Sequence, residues 1–256
     1  MCHLQPLIVT AHLEQGIIMD QFYGLSMDGL LVSQTRKAWA SHLGLERAGG
    51  AELDGGLSVE DPVDWSLPLA ACVPADEPES WHWLSSTATA LGAEGEPLSD
   101  VPPGTHRLSV RLDARRAHQI AVKVPATAGG ASGRFRPRIT PVLNLPARAV
   151  RWTAVGCAEE VEGLLGSLTS IGGRRGAGEG AVMRWEVVTA TPDVSAWHFG
   201  HTGMFGTENQ RPLPLSCARI LGLDNTRTCV AGIRPPVLHP SRQRRLSMPT
   251  SGAAPS

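Results

Sequence analysis

Three features of the 256-residue sequence predict an α+β fold built as one main domain. Glycine and proline supply 28 and 20 residues, a density that excludes a helical bundle and assigns much of the chain to turns and short strands. Between Ala147 and Val188 the hydrophobic period changes from about 2 to about 3.6 and back, as strand, helix and strand require. Near the start, Leu7 to Leu13 is apolar and β-branched enough for a central strand. The 42% hydrophobic fraction excludes wholesale disorder.

Leu7–Leu13 opens the fold. Asp28-Gly29-Leu30-Leu31-Val32 then leads into a helix reaching about Leu45, with Leu31, Ala38, Trp39 and Leu43 spaced along it. Residues 48–79 are acidic, rich in Gly and Pro and without period, and read as an insertion outside the core. Trp81-His82-Trp83-Leu84 is a short aromatic strand. Arg107–Leu112 and Gln119–Val124 both alternate and predict a hairpin tipped by Asp113 to His118, so that 105–140 projects like a thumb. The flexible Thr127–Gly133 precedes a basic stretch, Arg134-Phe135-Arg136-Pro137-Arg138.

The best organised unit follows. Val150–Val155 alternates as a strand, and Glu159 and Glu160 suit a first helical turn. Val161, Leu164, Leu165 and Leu168 share one helix face, Gly172-Gly173 stops the helix, and Ala181–Val188 is a strand again. That order is half of a ferredoxin-like sandwich, and the first strand and helix supply the other half. The expected domain is 1–240, followed by a basic, flexible tail at 241–256 carrying Arg242, Arg244 and Arg245.

The net charge of −1 conceals a strong asymmetry. Residues 1–103 hold 3 Lys+Arg against 15 Asp+Glu, and residues 104–256 hold 20 against 9. The basic half reads as a polyanion-binding surface, because arginine forks onto phosphates and stacks on bases. The alternative is that the acidic half folds against the basic half and neutralises it. No apolar run approaches a membrane span, and the N-terminus lacks the form of a secretory signal. Five scattered cysteines suit reduced thiols in a cytoplasm.

Ile171 to Gly180 packs five glycines and two arginines into ten residues. Gly176-Ala-Gly178-Glu-Gly180-Ala181 matches a dinucleotide fingerprint only as a string, since that fingerprint needs a strand before it and a helix after. A Walker-type loop fails too, for want of Lys-Ser/Thr. The residues suit a sugar–phosphate chain instead. Glycines let backbone N–H groups approach it closely, while Arg174 and Arg175 supply charge.

With these residues in place, the chain resembles the RAMP superfamily of CRISPR-associated proteins, RRM-like folds whose glycine-rich loop follows the last helix. Leu164-Leu165, Ile171–Arg175, Gly178–Gly180 and Val182–Trp185 carry the likeness. Asp28–Leu31, Trp81–Ser85, Gly133–Arg136 and Arg234–Pro236 narrow it to the Cas-five-type subunit of type IV effector complexes. The resemblance implies a non-catalytic, cytoplasmic RNA-binding protein of antiviral defence that holds the CRISPR RNA 5′ handle and caps the complex backbone. Its implied partners are CRISPR RNA, a multi-copy backbone subunit and other effector proteins, with no cofactor and no membrane. The implied contacts are Arg115, Arg116, His118, Arg134, Arg136, Arg138, Gly172, Arg174, Arg175 and Gly178.

Two other chemistries compete. Metal-independent RNA cleavage needs a general base and cations for the developing charge; His118 between Arg116 and the second hairpin run, or His12 in the first strand, would serve. His198 and His201 with Cys217 and Cys229 offer zinc-type ligands, but not at finger or ribbon spacing, and no metal is expected. Trp152 and Trp185 are expected in the core, whereas Trp81 and Trp83 suit either base stacking or covering a small sheet.

Overall fold

A computed structural model of the chain describes residues 2–19, 25–43, 62–98, 104–110, 138–173, 175, 178–203, 211–223 and 227–248, with 104–110 and 138–144 as backbone only. The first part of the fold runs β1 (Gln5–Leu13), α1 (Met27–His42), β2 (Ala71–Cys72), β3 (His82–Trp83), β4 (Thr89–Leu91), β5 (Gly104–Val110) and β6 (Arg138–Asn144). It continues with β7 (Ala149–Gly156), α2 (Ala158–Leu165), β8 (Val182–Thr189), α3 (Ala196–Thr202), β9 (Leu213–Pro214), α4 (Leu215–Ile220), β10 (Thr228–Gly232) and β11 (Gln243–Ser247). The architecture is α+β with antiparallel sheets.

The main sheet has the order β4-β7-β1-β8, every neighbour antiparallel. The two-residue pleat turns Leu7, Val9, Ala11 and Leu13 to one face, where they meet Val150, Trp152 and Ala154 of β7. Met27 and Leu31 of α1 and Val161 and Leu165 of α2 close that face. Ser26 caps α1 by accepting the Gly29 N–H, and Glu159 and Glu160 sit in the first turn of α2. Trp152 is fully buried in the core as expected, and Trp185 packs half-buried against it. On the opposite face, Phe199 of α3 covers Ile8 and Val155, with Leu84, Cys72 and Cys217 around it.

Four expectations are corrected. The stretch 48–79 is not detached: Leu67 and Leu69 enter the main core, and the Ala70 N–H donates to Val155 O of β7. Pro62, Asp64, Ser66 and Pro68 alternate with its apolar residues and hid them; residues 48–61 lie outside the described residues. Deleting Gly49–Pro78 removes Asp64, Leu67, Leu69 and Cys72 together. It is expected to abolish the cooperative thermal transition, and a wild-type melting curve would refute this account of the segment.

The ribbon differs too. β5 pairs with β6, from Gly104 opposite Asn144 to Val110 opposite Arg138, so Arg107–Val110 faces Arg138–Pro141. Gln119–Val124 lies outside the described residues. Pro141 disguised β6, yet a two-stranded ribbon has only edge strands and tolerates a missing N–H. The tail is ordered through residue 248: β11 joins β9 and β10 in a second sheet, and Leu246 is fully buried. Finally, Cys2 and Cys157 form a disulfide. They are 155 residues apart in sequence, but the pairing of Gln5 with Gly156 brings their Cα atoms to 5.8 Å.

Candidate functional site

The glycine loop and the ribbon spring from the same piece of backbone. Past β1, Ile17 exchanges both N–H···O bonds with Leu145, the residue that follows β6, each at 2.9 Å. On the other side of this segment the Gly180 N–H donates to Gly16 O at 3.1 Å and the Gly173 N–H to Ile18 O at 2.8 Å. Residues 16–18 thus hold the root of the ribbon and the glycine loop side by side at one end of the main sheet.

Close approach explains two of the glycines. Gly172 has φ +79, and a Cβ there would lie 2.6 Å from Ile18 O. Gly180 has φ +64, and a Cβ would run into its own loop at Ile171 O. Gly172, one of the expected RNA contacts, must therefore be glycine for packing reasons alone. Gly178 is different: it is exposed, its φ is +90, and a Cβ would meet open space. Its N–H donates to Arg175 O at 3.0 Å, and Arg175 is exposed beside it. Arg138 begins β6, six residues before Asn144, so the strand rise of about 3.3 Å puts its backbone about 20 Å from the ribbon root. Arg115, Arg116, His118, Arg134, Arg136 and Arg174 lie outside the described residues.

The open half of the sheet carries a second polar group, of which the sequence pointed only to His12. Register sets His12 beside Arg184, and Thr10 between Arg151 and Glu186. His12 Nε2 lies 2.8 Å from Glu186 Oε2, and Arg184 Nη1 lies 3.7 Å from the same oxygen. The His12 hydrogen bond, with Arg184 and Arg151 near, lowers the Glu186 pKa. A carboxyl with a depressed folded pKa contributes stability above its unfolded pKa and loses it as pH falls through the folded value. His12→Ala should therefore move the Glu186 titration upward, toward the ordinary carboxyl range, in an NMR pH series; an unmoved midpoint would show that the pair does not form in solution.

Much of the basic charge is spent internally. Arg211, Arg234 and Arg242 are all buried. Arg211 Nη2 lies 3.5 Å from Asp28 Oδ2, while Arg234 and Arg242 both engage Asp64. Arg234 also lies over the Trp81 ring, 4.1 Å from its centroid, and Trp81 packs edge-on against Trp83. Both tryptophans are half-buried and cover the structure beneath them. Three motif segments of the resemblance, at Asp28, Trp81–Ser85 and Arg234, thus meet in one buried network.

Among the described residues a metal could be held by Cys72, His82, His201 and Cys217, all buried. Of the set suggested by sequence, His201 and Cys217 belong to this cluster, but His198 and Cys229 do not. Burial, with Arg211 and His201 nearby, drives His82 well below the usual imidazole range. A hydrogen bond between the two free thiols of Cys72 and Cys217, together with His201 and Trp197, draws Cys72 down to about 4 against the effect of burial.

Compared with known proteins, the sequence matches no family model and no curated relative. Among the described residues no helix is long and apolar enough to cross a membrane.

Proposed function

We propose that the chain is a non-catalytic RNA-binding subunit of ferredoxin-like fold that holds the 5′ handle of a CRISPR RNA in a type IV effector complex. In this reading it caps the backbone, beside the multi-copy RAMP subunit, in the cytoplasm. The strand order β4-β7-β1-β8, with α1 and α2 on one face, supports the ferredoxin-like part. The observation that carries the RNA part is the shared anchorage at residues 16–18. It lets an exposed Gly178–Arg175 turn and an arginine-bearing ribbon address one bound strand from a common root. The word CRISPR rests on the resemblance alone.

Fluorescence anisotropy of a labelled single-stranded RNA over a salt series tests it. Replacing Arg174 and Arg175 together with Ala should flatten the slope of log affinity against log salt by about 1.4, since each lost phosphate contact removes about 0.7. An unchanged slope would make the loop purely structural.

A specific observation favours a second reading, a metal-independent endoribonuclease. His12 is oriented by Glu186 at 2.8 Å, with Arg184 and Arg151 available to a developing negative charge. Incubation of repeat RNA with chelator present separates the two. Cutting that is lost in His12→Ala and Glu186→Gln supports the nuclease, and intact RNA supports the binding subunit.

A further inference from the structure

Cys72 and His82 face each other as cross-strand partners in β2 and β3, His201 lies in the last turn of α3, and Cys217 in the first turn of α4. Their four ligand atoms lie within 4.8 Å of one another. The two sulfurs are 3.9 Å apart and the two Nε2 atoms 3.0 Å apart. Zinc–sulfur bonds of about 2.3 Å and zinc–nitrogen bonds of about 2.0–2.1 Å, at tetrahedral angles, give edges of about 3.8 Å and about 3.3 Å. The sulfur–sulfur and nitrogen–nitrogen edges therefore already match a coordination tetrahedron to within a few tenths of an ångström, and the sulfur–nitrogen edges lie within 4.8 Å.

Proton placement points the same way. His82 Nδ1 lies 3.2 Å from Ser80 O, and His201 Nδ1 lies 2.7 Å from Trp197 O. A carbonyl oxygen only accepts, so each Nδ1 carries the proton and each Nε2 presents a lone pair. Two lone pairs facing each other at 3.0 Å need a positive centre between them. A shared proton would make one ring an imidazolium, in a buried site already under the field of Arg211 and Arg234. Backbone carbonyls holding Nδ1–H are the usual orienting contacts of metal-bound histidine. The Trp197 indole N–H donates to Cys72 Sγ at 3.4 Å, a contact that suits a thiolate ligand.

From this geometry we infer that Cys72, His82, His201 and Cys217 bind one zinc ion in a structural Cys2His2 site. Two thiolates and two imidazoles in a tetrahedron select zinc among the common divalent ions. All four positions are filled by buried protein ligands, so the site stabilises and does not catalyse. A depression of ≈ 250 Å³ lined by Cys72, Trp197, Cys217 and Ile220 reaches the sulfur side and offers the ion a way in. The ligands come as a pair ten residues apart and a second pair sixteen residues apart, with nearly half of the chain between the two pairs. The ion would tie α3 and α4 to the β2–β3 hairpin and so close the second face of the main sheet. It is independent of the RNA-binding reading.

Elemental analysis of full-length protein purified without a polyhistidine tag should find one zinc per chain. Cys72→Ser and Cys217→Ser should each lose it, whereas Cys229→Ser and His198→Ala should keep it. A second measurement needs no ligand variant. Wild-type protein stripped by a chelator should take up one equivalent of Co²⁺, with the absorption of a tetrahedral cobalt site and sulfur-to-cobalt charge-transfer bands, and lose it to added zinc. Wild-type protein that takes up neither metal, a six-coordinate cobalt spectrum, or a Cys72–Cys217 disulfide found by mass spectrometry would each overturn the inference.

Discussion

Replacing Asp28 with alanine is expected to destabilise the chain by about 3–5 kcal/mol, the range for removing one partner of a buried ion pair. Asp28 is fully buried in the first turn of α1, and Arg211 is only 5% exposed. The guanidinium donates to Trp83 O, to Ser85 O and to Ile233 O, so it bridges α1, the aromatic stretch and the second sheet. Without Asp28 its charge stays buried among carbonyl dipoles alone. Asp64→Ala should cost less, because the Asp64 side chain is 41% exposed and water can reach the site it leaves. Urea unfolding measures both, and a loss below about 1 kcal/mol for Asp28→Ala would show that the carbonyls suffice. RNA affinity of the folded variant should stay unchanged, because the Asp28–Arg211 pair lies inside the fold.

That network decides between the two readings of the charge asymmetry. The acidic and basic halves do fold against each other: Asp28 and Asp64 lie in one, Arg211, Arg234 and Arg242 in the other. The pairing is partial, however. Arg148, Arg175 and Arg184 remain exposed, and any phosphate-binding surface must be built from arginines such as these. Counting charge along a sequence measures neither part, because a buried guanidinium and a solvated one are written with the same letter.

The main sheet was legible for a physical reason. β1, β7 and β8 are apolar or β-branched runs of eight or nine residues, long enough to read as strands, and α2 repeats Val161, Leu164 and Leu165 on one face. What escaped was short or charged. β2, β3 and β9 have two residues each, too few for any period. β11 reads Gln-Arg-Arg-Leu-Ser, which looks like a solvated tail until Arg242 is seen on Asp64 and Leu246 in the core. The Cys72–His82–His201–Cys217 cluster has no sequence signature, because four separate elements assemble it. His12 was visible as a residue, but its carboxylate partner is 174 positions away and only strand register brings it in.

The glycine loop offers the sharpest contrast, since two glycines two residues apart have opposite reasons to be there. Gly180→Ala is expected to destabilise the fold by about 2–3 kcal/mol. The left-handed backbone costs a side chain about 1–2 kcal/mol, and moving Ile171 O away from the new Cβ disturbs a turn worth about 1 kcal/mol more. Gly178→Ala carries only the conformational strain, about 1–2 kcal/mol, because nothing lies within reach of its Cβ. If the loop backbone approaches phosphate, that exposed methyl should weaken RNA binding without changing the salt slope, because no charge is removed. Arg175→Ala should do the reverse in kind, flattening the slope by about 0.7 with little loss of stability. Thermal melts and salt-series anisotropy on the three variants separate these outcomes. A Gly178→Ala chain that binds RNA like wild type would place the strand away from the loop backbone and leave Arg175 at most a distant electrostatic contact.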